Sequence, residues 1–298
     1  VYMIANNPID EETIVLTPEQ LDCCGDLVWN VLADTASNDA LKNDVNRFLW
    51  WFNKDVIDTA IISLIKPDGT SVALNGVTTY GTPYNYGFNI NGFNEKMVGY
   101  EIEWKKVLTL LGEGSYQLKC VSTSIFGGST TQVAPGVFCL SQYTTDRADN
   151  TVRIEYTING ILGDSKNDEK QKDYGQLNWY NQHRFDGMFC FKSAPLKEED
   201  VVYTSGQRQA IELEQEPEYT LELMPIPAFK HDILRTDILM ADSKMITDYN
   251  TKNFDNYYKK KVIAKSGYDP KIYPKKSKLA SVLLTFIQEF NKMKKFRS

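Results

Sequence analysis

Short apolar runs broken by tight-turn residues fill this chain, and that pattern suits packed antiparallel sheets better than any helical fold. In RFLWWFNKDVIDTAIISLIKPDGTSVAL the stretch from Thr59 to Ile65 alternates weakly, and Pro67-Asp68-Gly69 is a strong turn signal. Ser71-Val72-Ala73-Leu74 reads as the return strand of that hairpin. Gly112-Glu113-Gly114 separates the run Trp104–Leu111 from Tyr116–Ser122, and from Ser115 to Val121 the apolar residues occupy every second position, the mark of a half-buried strand. Gly127-Gly128 closes that run and Gly136–Tyr143 opens the next. A beat of roughly eight to twelve residues predicts a β-sandwich domain over residues 10–143.

The polar string TTDRADN (144–150) marks a domain boundary. Beyond it a second β-rich domain is expected over residues 151–298, ending in a basic segment. Thr151–Tyr156 alternates cleanly, Asn159-Gly160 signals a hairpin, and DSKNDEKQKD (164–173) reads as an exposed loop or edge. Val201–Tyr203, Ala210–Leu213 and Tyr219–Leu223 are further strand candidates, and Pro217, Pro225 and Pro227 argue against long helices nearby. Lys278–Phe296 fits a 3.6-residue period, yet Val282–Phe286 equally suits a buried strand; the β surroundings favour a strand at its start. A short helix can begin at Thr17-Pro18, and Asp39–Asn46 stays open. The fold class is therefore mostly β: two β-sandwich-like domains with few short helices.

Charge narrows the function classes. The chain carries a formal net charge of −6, which argues against general nucleic-acid binding. From Lys252 to Ser298, however, thirteen Lys and Arg face only Asp255, Asp269 and Glu289, so this segment is strongly basic and the preceding residues strongly acidic. Such polarity suits head-to-tail contact between like subunits, or simply a solvated basic tail. Cys23, Cys24, Cys120, Cys139 and Cys190 form no CxxC pair and are odd in number, so free thiols in a reducing compartment are expected. No apolar run approaches membrane-spanning length, and a soluble cytosolic product is expected.

The stretch YGQLNWYNQHRFDGMF (174–189) is the most site-like, with His183 one of two histidines in the chain. Neither His183 nor His231 has metal-ligand spacing, and His183 is expected to be a strand residue hydrogen-bonded to a neighbour. No GxSxG elbow or phosphate loop is present. Glu212, Glu214, Glu216 and Glu218 alternate, which places them on one strand face as a solvated acidic row; a glycosidase pair drawn from them is the competing reading. No catalytic residue, cofactor or metal is assigned. The interface candidates are Trp179, Tyr180, Arg184 and Phe185, which serve an intramolecular core equally well; Glu212, Glu214 and Glu216; and the basic residues Lys259, Lys260, Lys261, Lys294 and Lys295.

VLTPEQLDCCG (15–25), WKKVLTLLGEGSYQLK (104–119), ADNTVRIEYTINGILGD (148–164), GQLNWYNQHRFDGMF (175–189) and ITDYNTKNFDNYYKKKVI (246–263) together resemble structural virion proteins of tailed phages that infect Bacteroidetes-group bacteria, crAss-like phages included. The resemblance spans nearly the whole chain and implies a non-enzymatic, β-rich subunit of a ring in the tail or head–tail neck, assembled in the host cytoplasm. It also implies partners: copies of the chain itself and other virion proteins such as portal, adaptor, ring or tail components, with only non-specific proximity to DNA and no membrane. An acidic lining would let DNA slide, since phosphates are repelled. The alternative is a carbohydrate-binding or adhesion module at a tail tip, with Tyr80, Tyr84 and Tyr86 of GTPYNYG as the stacking residues.

Overall fold

The computed structural model describes residues 28–53, 57–74, 78–90, 93–134, 136–159, 161–162, 172–173, 179–202, 204–206, 208–252, 257–265, 267–268, 270–272, 279–289 and 293–296. The short helix expected at Thr17-Pro18 lies outside these residues.

Mostly β the chain is. In the first half, strands β1 (Val28–Ala33), β2 (Val45–Asn53), β3 (Ile57–Ile65), β4 (Ser71–Ala73), β5 (Gly81–Ile90) and β6 (Phe93–Glu103) lead into helix α1 (Trp104–Leu111), then β7 (Gly114–Ser124), β8 (Ser129–Val133) and β9 (Val137–Gln142). They form one sheet in the order β1-β9-β7-β3-β4, with β8 also on β7, and a second in the order β2-β6-β5. The expected hairpin is present: β4 returns along β3, Gly69 sits at φ 78°, and the Asp68 carboxylate accepts from the Thr70 amide and hydroxyl. Trp104–Leu111 is a helix rather than another strand. Trp104, Val107 and Leu108 share its buried side, a helical spacing, and Gly112 at φ 89° ends it.

The polar string between the halves folds into a single turn, α2 (Thr145–Ala148), capped by the Thr144 hydroxyl accepting from the Arg147 amide. The second half then runs through β10 (Thr151–Ile158), β11 (Ile161–Leu162), β12 (Lys172–Asp173), β13 (Trp179–Ser193), β14 (Leu196–Val202), β15 (Arg208–Gln215) and β16 (Glu218–Pro227). Helix α3 (Ala228–Ile233) follows and passes into a π-helical turn (Leu234–Ile238); this element directly follows Pro227 and was not anticipated. The chain finishes with β17 (Ser243–Asp248), β18 (Lys260–Ala264), β19 (Lys271–Ile272), β20 (Leu279–Gln288) and β21 (Met293–Phe296). The ambiguous segment is a strand from Leu279, with Ala280, Val282, Leu284 and Phe286 buried and Leu283 exposed.

The pairings β16-β13-β10-β17-β18-β20 are all antiparallel, and β20 pairs back onto β16. The large sheet of the second half thus closes on itself as a six-stranded barrel, which removes the free edges an open sheet would expose. Val152, Ile154, Tyr156, Phe189, Leu221, Ile246, Val262 and Leu284 are buried on its strands. No pairing among the described strands crosses residues 144–150, yet one buried cluster runs unbroken from Trp29 to Phe286.

β13 is the pivotal strand. Its first half pairs only with β10, and β16 joins it from Gly187 onward. At Gly187 a Cβ would lie 2.4 Å from the Glu222 carbonyl oxygen, a backbone atom that cannot step aside. Gly187→Ala is expected to push β16 off β13 and cost about 1–3 kcal/mol in urea unfolding. A loss within a few tenths of wild type contradicts the tight approach.

Candidate functional site

The edge of β13 that β16 leaves free is taken up by the first-half sheets. The Asn46 side-chain amide donates to the Gln182 carbonyl at 2.6 Å. Asn181 accepts from the Arg47 amide at 3.2 Å and donates back to the Arg47 carbonyl at 3.2 Å. Strand alternation then splits the site-like stretch between two faces. Trp179, Asn181, His183 and Phe185 stand opposite Ile158, Tyr156, Ile154 and Val152 of β10, while Tyr180, Gln182 and Arg184 stand opposite Thr157, Glu155 and Arg153.

The second face carries a buried ionic layer. Asp44, just before β2, accepts from Arg184 Nε and Nη2, both at 2.9 Å, from the Leu32 amide at 2.8 Å, and from Arg153 Nη1 at 3.4 Å. Arg153 Nη2 donates to Glu155 at 2.7 Å and Nη1 to the Ala40 carbonyl at 2.9 Å. Glu155 also accepts from the Tyr180 hydroxyl at 3.2 Å and lies 3.5 Å from Lys259 Nζ. Both guanidiniums cover the Tyr249 ring, Arg184 at 4.3 Å and Arg153 at 5.9 Å, and the Tyr249 hydroxyl donates to the Leu41 carbonyl. Burial by itself would raise the Asp44 carboxyl, but the Arg184 charge and hydrogen bonds, with help from Arg153 and the Leu32 amide, hold it below its ordinary value. Burial likewise pushes the Tyr249 hydroxyl up to about 12.

The first face is aromatic. Trp29 of β1 stacks on His183 at 4.5 Å and meets Phe185 and Phe229 edge-on at 5.6 Å each. Tyr156 lies 6.0 Å from His183 on its other neighbour strand, and Lys230 Nζ of α3 sits 4.7 Å over the Trp29 ring. His183 was expected to be hydrogen-bonded; instead neither ring nitrogen has a partner. Burial, with the Lys230 charge adding to it, lowers the imidazole to about 3, against a weaker pull from Asp44. Burial also lowers the Lys230 amine to about 8. The space between Trp29, Asp44, Asn46, His183 and Arg184 is too narrow to hold a water molecule.

This arrangement joins the first-half sheets to the barrel. The carboxylates that could act as acids or bases are held by guanidiniums, and the imidazole is sealed in rings. Trp179, Arg184 and Phe185 are buried within the chain, and Tyr180 is half-buried. Sequence reading missed Trp29, Asp44 and Lys230 altogether. They come from β1, from the segment before β2 and from α3, and no local motif marks them.

The remaining candidates scatter. The acidic row does not share one strand: Glu212 and Glu214 belong to β15, which ends at Gln215; Glu216 is buried in the turn; and Glu218, on β16, pairs with Lys265 and with Lys192 at 3.4 Å. In register, Glu214 faces Lys197 on β14 and Lys294 on β21, with Lys295 opposite Leu213. Lys260 lies over Tyr219 at 3.9 Å, and Lys261 pairs with Glu289 at 2.9 Å. Lys259, Lys260, Lys261 and Lys265 of the basic segment are therefore engaged by their own chain. His231 contacts the Tyr268 hydroxyl through Nδ1 and lies 3.0 Å from the Ala280 carbonyl through Nε2. Tyr84 and Tyr86 fall within strand β5 rather than a loop. Cys120 and Cys190 are free thiols as expected, but Cys139 is disulfide-bonded, which corrects the all-thiol reading. Among the described residues no cluster of three metal-ligating side chains occurs, and no helix is long and apolar enough to cross a membrane.

Comparison with protein-family models and with curated proteins found no match to this chain.

Proposed function

We propose that the protein is a non-catalytic structural subunit of a tailed-phage virion, building a ring in the tail or head–tail neck around the DNA channel through lateral contacts between β domains. Its partners are then further copies of itself and adjoining virion proteins, and it is assembled in the host cytoplasm. The observation that carries this reading is the outer wall of the barrel. Met188, Glu222 and Leu283 lie side by side across β13, β16 and β20, and Ile263 of β18 stands next to Ile287. Met188, Met224, Ile263 and Leu283 are all exposed, from 38% to 60%. Apolar side chains in adjacent strands, interleaved with charges, support a contact surface better than scattered exposure does.

The reading also draws on the mostly-β fold and on the engagement of the site-like residues in internal packing. Mass photometry and negative-stain microscopy across a concentration series test it. Closed oligomers are expected, and Leu283→Lys is expected to shift them toward monomer without lowering the unfolding midpoint. A strict monomer at high concentration, together with no ordered neighbours in intact particles, overturns the proposal.

A further inference from the structure

We propose that His183 is an acid-operated release for the joint between the first-half sheets and the barrel. It concerns a single chain and does not rest on the assembly reading. The geometry carries it. His183 lies in a stack with Trp29 from β1 and Tyr156 from β10, at the one end of β13 that β16 does not pair. Both ring nitrogens lack a partner, so a proton taken up there creates an imidazolium with two N–H donors and no acceptor.

The surrounding charges do not welcome it either. From α3 comes Lys230, a like charge over the same tryptophan. From the segment before β2 comes Asp44, whose oxygens are already taken by Arg184, Arg153 and the Leu32 amide. On β10 and β13 the neighbouring Arg153, Glu155 and Arg184 belong to the opposite face, and Asp186 is exposed. The imidazolium reaches water only if Trp29 leaves the stack. Trp29 is the residue through which β1 grips β13, so its departure frees the first-half sheets. The barrel closure through β16 and β20 lies beyond Gly187 and is left intact.

The sign follows from the lowered imidazole. A histidine held below its ordinary 6.5 contributes stability fully above that pH, and the contribution is lost as pH falls from 6.5 toward the folded value of about 3. At pH 5 the joint is then expected to open about thirtyfold more often than at pH 7.5.

Hydrogen exchange of the full chain at pH 7.5, 6 and 5, corrected for intrinsic rates, reads this directly. Amides of 28–33 and 179–185 are expected to gain exchange about thirtyfold at pH 5, and those of 279–288, which exchange through the global unfolding that also exposes His183, no more than the same factor. His183→Phe keeps a ring in the stack without a titrating group and is expected to abolish the response; His231→Gln is expected to preserve it. Should His183→Phe not fold, imidazole nitrogen shifts in the wild-type chain decide: His183 is expected to take up its proton only as the joint opens. Protection of 28–33 that persists at pH 5, an unchanged response in His183→Phe, its loss in His231→Gln, or a His183 ring that titrates near 6.5 in the closed joint each overturns the proposal.

Discussion

Asp44→Asn is expected to cost about 3–5 kcal/mol of unfolding free energy, because it strands two buried guanidiniums that share one carboxylate. Arg184 makes a two-point contact with Asp44, and Arg153 keeps only Glu155 as counter-charge once Asp44 is neutral. The amide that replaces the carboxylate also presents an N–H to a guanidinium, where an acceptor is needed. Urea unfolding at pH 7 measures the loss. Asp34→Asn provides the contrast: Asp34 pairs with a partly exposed Lys42 at 3.5 Å and accepts from the Ala36 amide and Gln142 through an oxygen the amide retains, so the change is expected to cost no more than about 1 kcal/mol. The pH dependence has a fixed sign. Asp44 is held below its ordinary carboxyl value in the folded chain, so its contribution is complete above about pH 4 and fades as pH falls further toward the folded value. The gap between wild type and Asp44→Asn is therefore expected to be flat from pH 7 to pH 5 and to narrow below about 4.

Trp29→Ala is expected to cost a comparable 3–5 kcal/mol, by a different route. Trp29 is 1% exposed and touches His183, Phe185, Phe229 and Lys230, so its removal leaves a cavity bounded by three aromatic rings and a lysine stem. Trp29→Phe preserves part of the stack and is expected to lose about half as much. The cavity also admits water to His183, so in Trp29→Ala the imidazole is expected to rise from about 3 toward its ordinary 6.5. Urea unfolding and a histidine-resolved NMR titration read the two effects in one variant. A loss below about 1 kcal/mol with an unmoved imidazole contradicts the packing described here.

Where a pattern was local, the chain declared its fold. The Pro67-Asp68-Gly69 turn, the alternation of Thr151–Tyr156 and the strand at Val282–Phe286 all follow from side-chain period and turn chemistry, which act over a few residues. Helix α1 was hidden because Trp104, Val107 and Leu108 also look like one more apolar run in a β-rich setting. Barrel closure was hidden for a deeper reason. The β16–β20 pairing joins residues some sixty positions apart, and no turn signal specifies it. The same holds for the joint: His183, Arg184 and Phe185 announced something unusual, but their partners Asp44 and Trp29 lie about 140 and 150 residues upstream, as single residues in unremarkable stretches. The acidic row failed on a local point that Pro217 concealed, since the strand stops at Gln215 and Glu216 turns inward.

The central claim is that the cluster resembling an active site is a joint, so that sheets and barrel stand or fall together at neutral pH. Native-state hydrogen exchange at pH 7 with increasing denaturant tests it most directly. The Leu32 amide, which donates to Asp44, and the amides of 181–185 are expected to exchange with the same free energy and the same denaturant slope as Leu284 in the barrel. Exchange of Leu32 and 181–185 through a shallow local opening, while Leu284 still waits for global unfolding, contradicts the claim.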